Sequence, residues 1–452
     1  MASSAALGVE KVHRLIFNLG WPAALNFLVV TIYNITDVIF VGHWLGTVQI
    51  AAVVIVGTIN YLFSSVGLAI GIGGASIISR ALGENDPGKA AVVFGNQLLL
   101  VLMVGVVSVI TGLVFEDGIL RLFGAYGDIF QPAKVYYRIM LFGSPLLSLG
   151  MMCNCVIQAE GKSKTAMINS LVPAVLNIAL NPVFIKGFNM GIEGAAWATV
   201  ISFLVGVLLA VRFFASRQGE IVFRYKELTL NVRLMREIIG IGGSVIINIA
   251  TINLFVVLLN KALFKYQQES GVIMYSIISR INMLFYVPIL GIDGGIRPVI
   301  GYNFGSRQLQ RIRDAIQTAA KFGLLICYSL LGLVLLFGNY LVQLFTDDPH
   351  IITTTLFAMR IVLSFCPLFI IEIIVVAYFQ AIGKPRIAFG LSLLRNVILL
   401  IPLLYILSYY YGFNGILYTF PVVDIVTTII AFLLLKNELD YKLPERLGMK
   451  LI

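Results

Sequence analysis

A carboxylate stands inside the first long apolar run of this chain: Asp37, in Tyr33-Asn34-Ile35-Thr36-Asp37-Val38, with no basic residue within two helical turns. An unpaired carboxylate in a low-dielectric bundle persists by taking up a proton or by holding a cation, and either behaviour suits ion coupling. The plainer alternative is a carboxyl satisfied by neighbouring Asn and Thr for packing alone. A second polar set lies further on, in Asn177-Ile178-Ala179-Leu180-Asn181-Pro182. The four-residue spacing puts Asn177 and Asn181 on one helix face, aimed at the same neighbour. Pro182 removes a backbone donor and frees the carbonyl one turn earlier for an ion or ligand. Asn pairs also simply join helices, and Thr199 in the next apolar run is a weaker signal still.

The second half carries its own ionisable groups at membrane depth. Glu372 lies eight residues before Gln380, and Asp293 and Arg297 stand one helical turn apart. That pair either neutralises itself or meets a substrate. Arg280, Arg395 and Asp424 complete the set, as groups that snorkel or pair across helices. Tyr33, Phe63, Met151, Met152, Met283 and Tyr286 would give an adaptable apolar wall for binding, although most such residues in any bundle are core or lipid-facing. Other chemistry is poorly served. His13, His43 and His350 form no metal-spaced cluster with Cys153, Cys155, Cys327 or Cys366, whose apolar settings suit small buried hydrophobes. No P-loop occurs, and Gly67, Gly71, Gly73 and Gly74 fit close helix packing or a bend rather than a nucleotide cradle. An intramembrane enzyme would need a nucleophile with a base or a metal cluster at membrane depth, and the absence of a mid-span His speaks against it. No cofactor is expected beyond Na+ or H+ as a coupling ion.

These side chains must be positioned by membrane helices. Of 452 residues 59% are hydrophobic and only 12% charged, about half the charge of a soluble domain. Runs of about 20 apolar residues fall at 16–41, 51–78, 91–115, 133–157, 165–187, 194–214, 237–262, 272–299, 316–340, 355–379, 388–411 and 414–436. Apolar residues all round each run favour bundle helices over porin strands. Lys11 and Arg14 precede the first run without a small-residue cleavage site, so that run is expected to span rather than to be removed. Basic residues concentrate in alternate connections and near both ends, which places both termini in the cytoplasm and requires an even number of spans. The same distribution explains the net charge of +10 without nucleic acid.

The chain also repeats itself. Gln158-Ala159-Glu160-Gly161-Lys162 returns as Gln380-Ala381-Ile382-Gly383-Lys384, and 380 − 158 = 222. Gly83 and Gly305, Leu122-Phe123 and Leu344-Phe345, Arg138 and Arg360, and Pro145 and Pro367 keep that spacing. Two tandem six-span units follow: an N-terminal lobe of 1–215, a cytoplasmic linker of 216–236, and a C-terminal lobe of 237–452. Units with an even number of spans enter from the same side, so a pseudo-two-fold axis along the membrane normal is expected.

Across nearly its whole length the chain resembles the multidrug and toxic compound extrusion (MATE) family, in its prokaryotic drug-efflux branches. The residues that carry the likeness are Thr36 to Gly42, Gln158 to Lys162, Asn177 to Phe184, Gly194 to Thr199, Pro298 to Gly305 and Gln380 to Pro385. The resemblance implies an all-α inner-membrane antiporter of twelve helices in two six-helix bundles, and a monomer is expected. It would export amphipathic, often cationic compounds in exchange for Na+ or H+. It further implies a first-lobe cation site at Asp37, Asn177, Asn181 and Thr199, and a cation or substrate role for Glu372. The departure is Asn181, where relatives carry Asp, and it leaves Na+ versus H+ open. Asp293, Arg297, Tyr33, Met283 and Tyr286 are the remaining candidates for contact with substrate, alongside membrane lipid as a partner. A lipid or lipid-linked sugar flippase of related architecture is the rival. It would favour a strongly basic cavity for phosphate, which Arg280, Arg297 and Arg395 keep in view.

Overall fold

The computed structural model describes residues 4–216, 218–221 and 228–446. The expected linker therefore falls partly outside the described residues, with Arg217, Arg224 and Lys226. Six long helices lead the chain, with short turns of helix at Ala6–Val9 and Glu116–Leu122 beside them: α1 (Val12–Leu45), α2 (Thr47–Gly83), α3 (Pro87–Val114), α4 (Phe130–Ala159), α5 (Ser163–Pro182) and α6 (Gly191–Ala215). The next helical body, Val232–Gly305, has 74 residues. At 1.5 Å per residue it would run roughly 110 Å, against a hydrocarbon core of about 30 Å. It is divided at Gln268, whose φ of 52° and ψ of −138° break the helical ladder, into α7 (232–267) and α8 (269–305). α9 is Leu309–Gln343 and α10 is the broken body Pro349–Ala381. Gly412, at φ 60° and ψ −135°, divides the last body, Pro385–Lys442, into α11 (385–411) and α12 (413–442). Among the described residues ten apolar bodies, two of them double, make twelve spans. Both breaks lie in the gaps the apolar runs left, between 262 and 272 and between 411 and 414. Outward-facing Leu325, Leu333 and Leu336 on α9 suit hydrocarbon rather than water.

The 222-residue repeat is written in the backbone as well as in the sequence. Gly46 and Gln268, Asn85 and Arg307, and Gly161 and Gly383 are pairs at that spacing, and all six have positive φ. After α4 the amide of Gly161 donates to Gln158 O and that of Lys162 to Ile157 O. After α10 Gly383 donates to Gln380 O and Lys384 to Phe379 O, so both pentapeptides form the same helix-ending turn.

One repeated proline has opposite outcomes. Pro145 cannot donate to the carbonyl of Leu141, but the hydroxyl of Ser144 does so at 2.9 Å and α4 runs on. In α10 the corresponding pair is Cys366-Pro367. The Cys366 thiol, a weaker donor, turns instead to Oδ1 of Asn282 at 3.2 Å. The amide of Cys366 reaches Leu363 O, and α10 breaks into Pro349–Val362 and Phe369–Ala381 around a short 3-10 turn. The span expected at 355–379 is thus built from two helical segments.

The compact units differ from the halves drawn from the repeat. One unit takes the residues up to Ala6 with Leu25–Gly243, and the other takes Leu7–Ala24 with Ser244 onward. The start of α1 therefore belongs with the second half, and the start of α7 with the first. Missing side chains allow both exchanges. A Cβ on Gly20 of α1 would sit 2.8 Å from Gly291 O on α8, and one on Gly242 of α7 would sit 2.1 Å from Ala69 O on α2. Gly20 and Gly242 are again 222 residues apart. Gly67, Gly71, Gly73 and Gly74 of α2 are likewise points of close approach, to Ser148, Met152, Ile238 and Gln97.

Candidate functional site

The first unit brings together all four residues that the family resemblance placed in a cation site. Asp37 projects from α1, Asn177 and Asn181 from α5, and Thr199 from α6, and all four are buried. Nδ2 of Asn181 donates to Asp37 Oδ1 at 2.9 Å and to Asn177 Oδ1 at 3.1 Å. Nδ2 of Asn177 donates to Thr199 Oγ1 at 3.0 Å, and that hydroxyl donates to Ala195 O at 3.0 Å. The two amides share a face, as their spacing required. They do not aim at one neighbour, however: Asn181 serves α1 and Asn177 serves α6, so the pair bridges two helices.

The chemistry of this cluster is that of an acceptor set. Asp37 forms no ion pair among the described residues, and the carbonyl oxygen of Asn181 is buried without a hydrogen-bond donor. A carboxylate and an amide oxygen beside it, in a site lacking a fixed cation, suit a hard monovalent cation or a proton. Tyr33, one turn before Asp37 on α1, lies close to its carboxylate. So does Tyr136 of α4, which is buried and also contacts Thr199. Tyr136 was missed because a tyrosine in a long apolar run has no spacing signal of its own.

In the second unit the ionisable groups neutralise one another. Arg395 of α11 extends Nη1 to Glu372 Oε2 at 3.1 Å and Nη2 to Asp424 Oδ1 at 2.7 Å, with Thr427 Oγ1 at 3.4 Å. Its guanidinium lies 4.3 Å from the ring centroid of Phe369. Glu372 is accordingly a buried, paired carboxylate and not an open acidic wall. Asp293 and Arg297 pair with each other at 2.8 Å, and Arg297 also donates to Gln380. Arg280 is exposed. Arg395 as a hub was not legible from the sequence, since its three partners come from α10 and α12, 23 to 32 residues away.

A pocket opens beside that hub. α8 lines it with Tyr275, Ile278, Ser279, Asn282, Phe285, Tyr286 and Ile289, a spacing of three and four that defines one helix face. Val362, Leu363, Cys366 and Phe369 enter at the break in α10, with Arg395 from α11 and Phe420 and Asp424 from α12. Tyr286 is thus a wall residue, whereas Met283 is exposed and lies outside the lining.

The family model MatE matches the chain twice, over residues 22–183 and 245–406. The matches begin 245 − 22 = 223 residues apart, one more than the sequence anchors. The chain is 25% identical over 438 residues to the multidrug export protein MepA of Staphylococcus haemolyticus, covering 97% of this chain and 95% of that one. MepA of Staphylococcus aureus is 25% identical over 439 residues with the same coverage. A solved structure of MATE in the bent conformation superposes with a TM-score of 0.94 at 26% identity, over 99% of this chain and all of the other. A multidrug resistance MATE family transporter of the MOP superfamily, in an outward-facing conformation, gives 0.91 at 26% identity, over 98% and 99%. A MOP superfamily transporter from Pyrococcus furiosus gives 0.91 at 25% identity over the full length of both chains. It is described as having a binding pocket of reverse polarity that suggests a different function.

Proposed function

Because the chain belongs to the MATE family of transporters, its model matching both halves, we propose that it is a cation-coupled multidrug efflux antiporter. It exports amphipathic, often cationic compounds by alternating access and takes up Na+ or H+ in exchange. The observation that carries the reading is Asp37, buried, without an ion pair among the described residues, and held by the Asn181 amide at 2.9 Å. Coupling follows if the occupied and empty carboxylate favour different arrangements of the bundle, because a ligand shifts an equilibrium only by its differential affinity for the two states. Asp37 sits on α1, within the part of that helix that groups with the first compact unit.

Placement in the cell membrane with both termini in the cytoplasm, drug-like small molecules as cargo, and function as a monomer among lipids belong to the same reading. The flippase alternative asks for free arginines to receive phosphate. Arg297 and Arg395 are both committed to carboxylates and only Arg280 of the three is without an ion pair among the described residues, which favours drug over lipid phosphate. Proteoliposomes loaded with several chemically unlike dyes test the proposal, with Na+ and H+ gradients imposed separately. Uphill movement of more than one dye under one gradient is expected. Movement that ignores both gradients, or a strict requirement for a lipid cargo, would overturn it.

A further inference from the structure

One end of the second unit gathers tyrosine rings and lysines at a single level. α7 stops at the break of Gln268 and α11 at the break of Gly412. The hydroxyl of Tyr266 donates to Ser408 O at 2.8 Å and ties these two helix ends together. Directly after Ser408 come Tyr409, Tyr410 and Tyr411, which are 62 to 80% exposed. Successive residues turn by about 100° around a helix, so the three rings fan over much of its circumference. Tyr405, one turn earlier, is exposed as well, and Tyr418 of α12 meets Tyr411 edge-on with centroids 6.3 Å apart. None of these five hydroxyls has a hydrogen-bond partner among the described residues. Lys261 and Lys265 are exposed and four residues apart, so they share one face of α7. Nζ of Lys265 lies 5.5 Å from the ring centroid of Tyr266, the same ring that holds Ser408. Neither lysine forms an ion pair among the described residues. Glu269 is the only acid in 255–275 and 400–420. The loop charges assign this membrane face to the outside, where basic residues are few. Counting back 222 residues from the two lysines, Tyr405 and Tyr409 to Tyr411 gives Ile39, His43, Val183, Gly187, Phe188 and Asn189. These hold no lysine and no tyrosine, so the patch is not part of the scaffold that the halves share.

We propose that this patch is a docking surface for the headgroup of an anionic phospholipid. Tyrosine settles at the level of the headgroups, with its ring toward the chains and its hydroxyl toward water. The open hydroxyls there donate to phosphate oxygens, and the two ammonium groups meet the net negative charge. Each lysine near the surface favours an anionic over a neutral headgroup by roughly fivefold. A headgroup fits better than a second copy of this chain, because two charges and five unpartnered hydroxyls are costly to bury against an apolar helix face. The surface lies outside the coupling chemistry of Asp37, and its test requires no transport.

A fluorescent reporter inside the patch tests the proposal on the full-length protein in vesicles. Tyr409→Trp supplies it, and subtraction of wild-type emission removes the signal of Trp21, Trp44 and Trp197. The vesicles mix phosphatidylglycerol and phosphatidylcholine, with bromine on the chains of one lipid and then of the other. Quenching then gives the local preference between the two headgroups and ignores lipid bound elsewhere on the protein. Phosphatidylglycerol is expected to be favoured by about fivefold or more at low salt. Lys261→Gln with Lys265→Gln brings the ratio close to one and leaves quenching by phosphatidylcholine unchanged. Lys261→Arg with Lys265→Arg keeps the preference, which separates charge from damage to the fold. A ratio near one in the reporter protein overturns the proposal, as does a preference that survives the two glutamines. So does a reporter that neither lipid quenches, the mark of a patch covered by protein. Glutamine variants in which both lipids lose contact alike also overturn it, because the lysines would then serve only the fold.

Discussion

Asn181→Asp puts a second carboxylate where an amide now donates to the first. The amide nitrogen lies 2.9 Å from Asp37 Oδ1, and two unit charges at that separation repel by about 6 kcal/mol at an effective dielectric of about 20. Loss of the hydrogen bond to a charged group adds about 1.5–3 kcal/mol. Nothing in the cluster offsets this, since Asp37 forms no ion pair among the described residues and Asn177 presents Oδ1 to the same position. Two close carboxylates escape the repulsion by sharing a proton or by holding a cation between them. The variant should therefore lose stability in choline chloride and recover it as Na+ replaces choline at constant ionic strength. Binding at one hundred times Kd returns about 2.7 kcal/mol. Thermal unfolding in detergent reads this directly, as a Na+-dependent rise in Tm larger in the variant than in the wild type. Equal Na+ responses, or a variant as stable as wild type in choline, would refute the assignment of these oxygens to one site.

Two further predictions concern the scaffold. Ser144→Ala removes the hydroxyl that satisfies Leu141 O beneath Pro145 and should cost about 1–3 kcal/mol. In a Pro145→Ala background, where the backbone donor is restored, the same change should cost little, and additive losses in denaturation would contradict the argument. Glu160, at the end of α4, accepts the amides of Glu220 and Ile221 at 3.1 and 3.2 Å. Burial, outweighing those bonds and Lys162, pushes its carboxyl above the usual glutamate value. Because the folded value exceeds the unfolded one of about 4.3, ionisation costs stability as pH rises from there through the raised value. Relative to Glu160→Gln, wild type should therefore lose Tm as pH climbs through that window and gain it on acidification; a difference that does not change with pH would count against the burial argument.

Much of the architecture was legible because a membrane imposes it. Span length, apolar surface and alternating basic connections follow from the bilayer, and the repeat follows from anchors such as Gly161 and Gly383. The rest depended on contacts with no sequence period. Gln268 and Arg307 hold positive φ where their counterparts are Gly46 and Asn85, so composition hid two of the repeated turns. Ser144 and Cys366 look interchangeable beside their prolines, yet a strong donor keeps α4 whole and a weak one lets α10 break. In the first-unit cluster Asp37 could be singled out as an outlier in its run, while Asn177, Asn181 and Thr199 were joined to it by the family resemblance. The second could not, because Glu372, Arg395 and Asp424 each look like an isolated intramembrane charge until the fold joins them.

The central claim is that Asp37 couples ion entry to export, and gradient-driven dye efflux from proteoliposomes measures it most directly. Wild-type protein and Asp37→Asn are reconstituted at equal density, with dye binding measured on each beforehand. The account predicts that the variant still binds dye but no longer moves it against a gradient when Na+ or H+ is supplied as the driving ion. Full gradient-driven efflux by Asp37→Asn would contradict it.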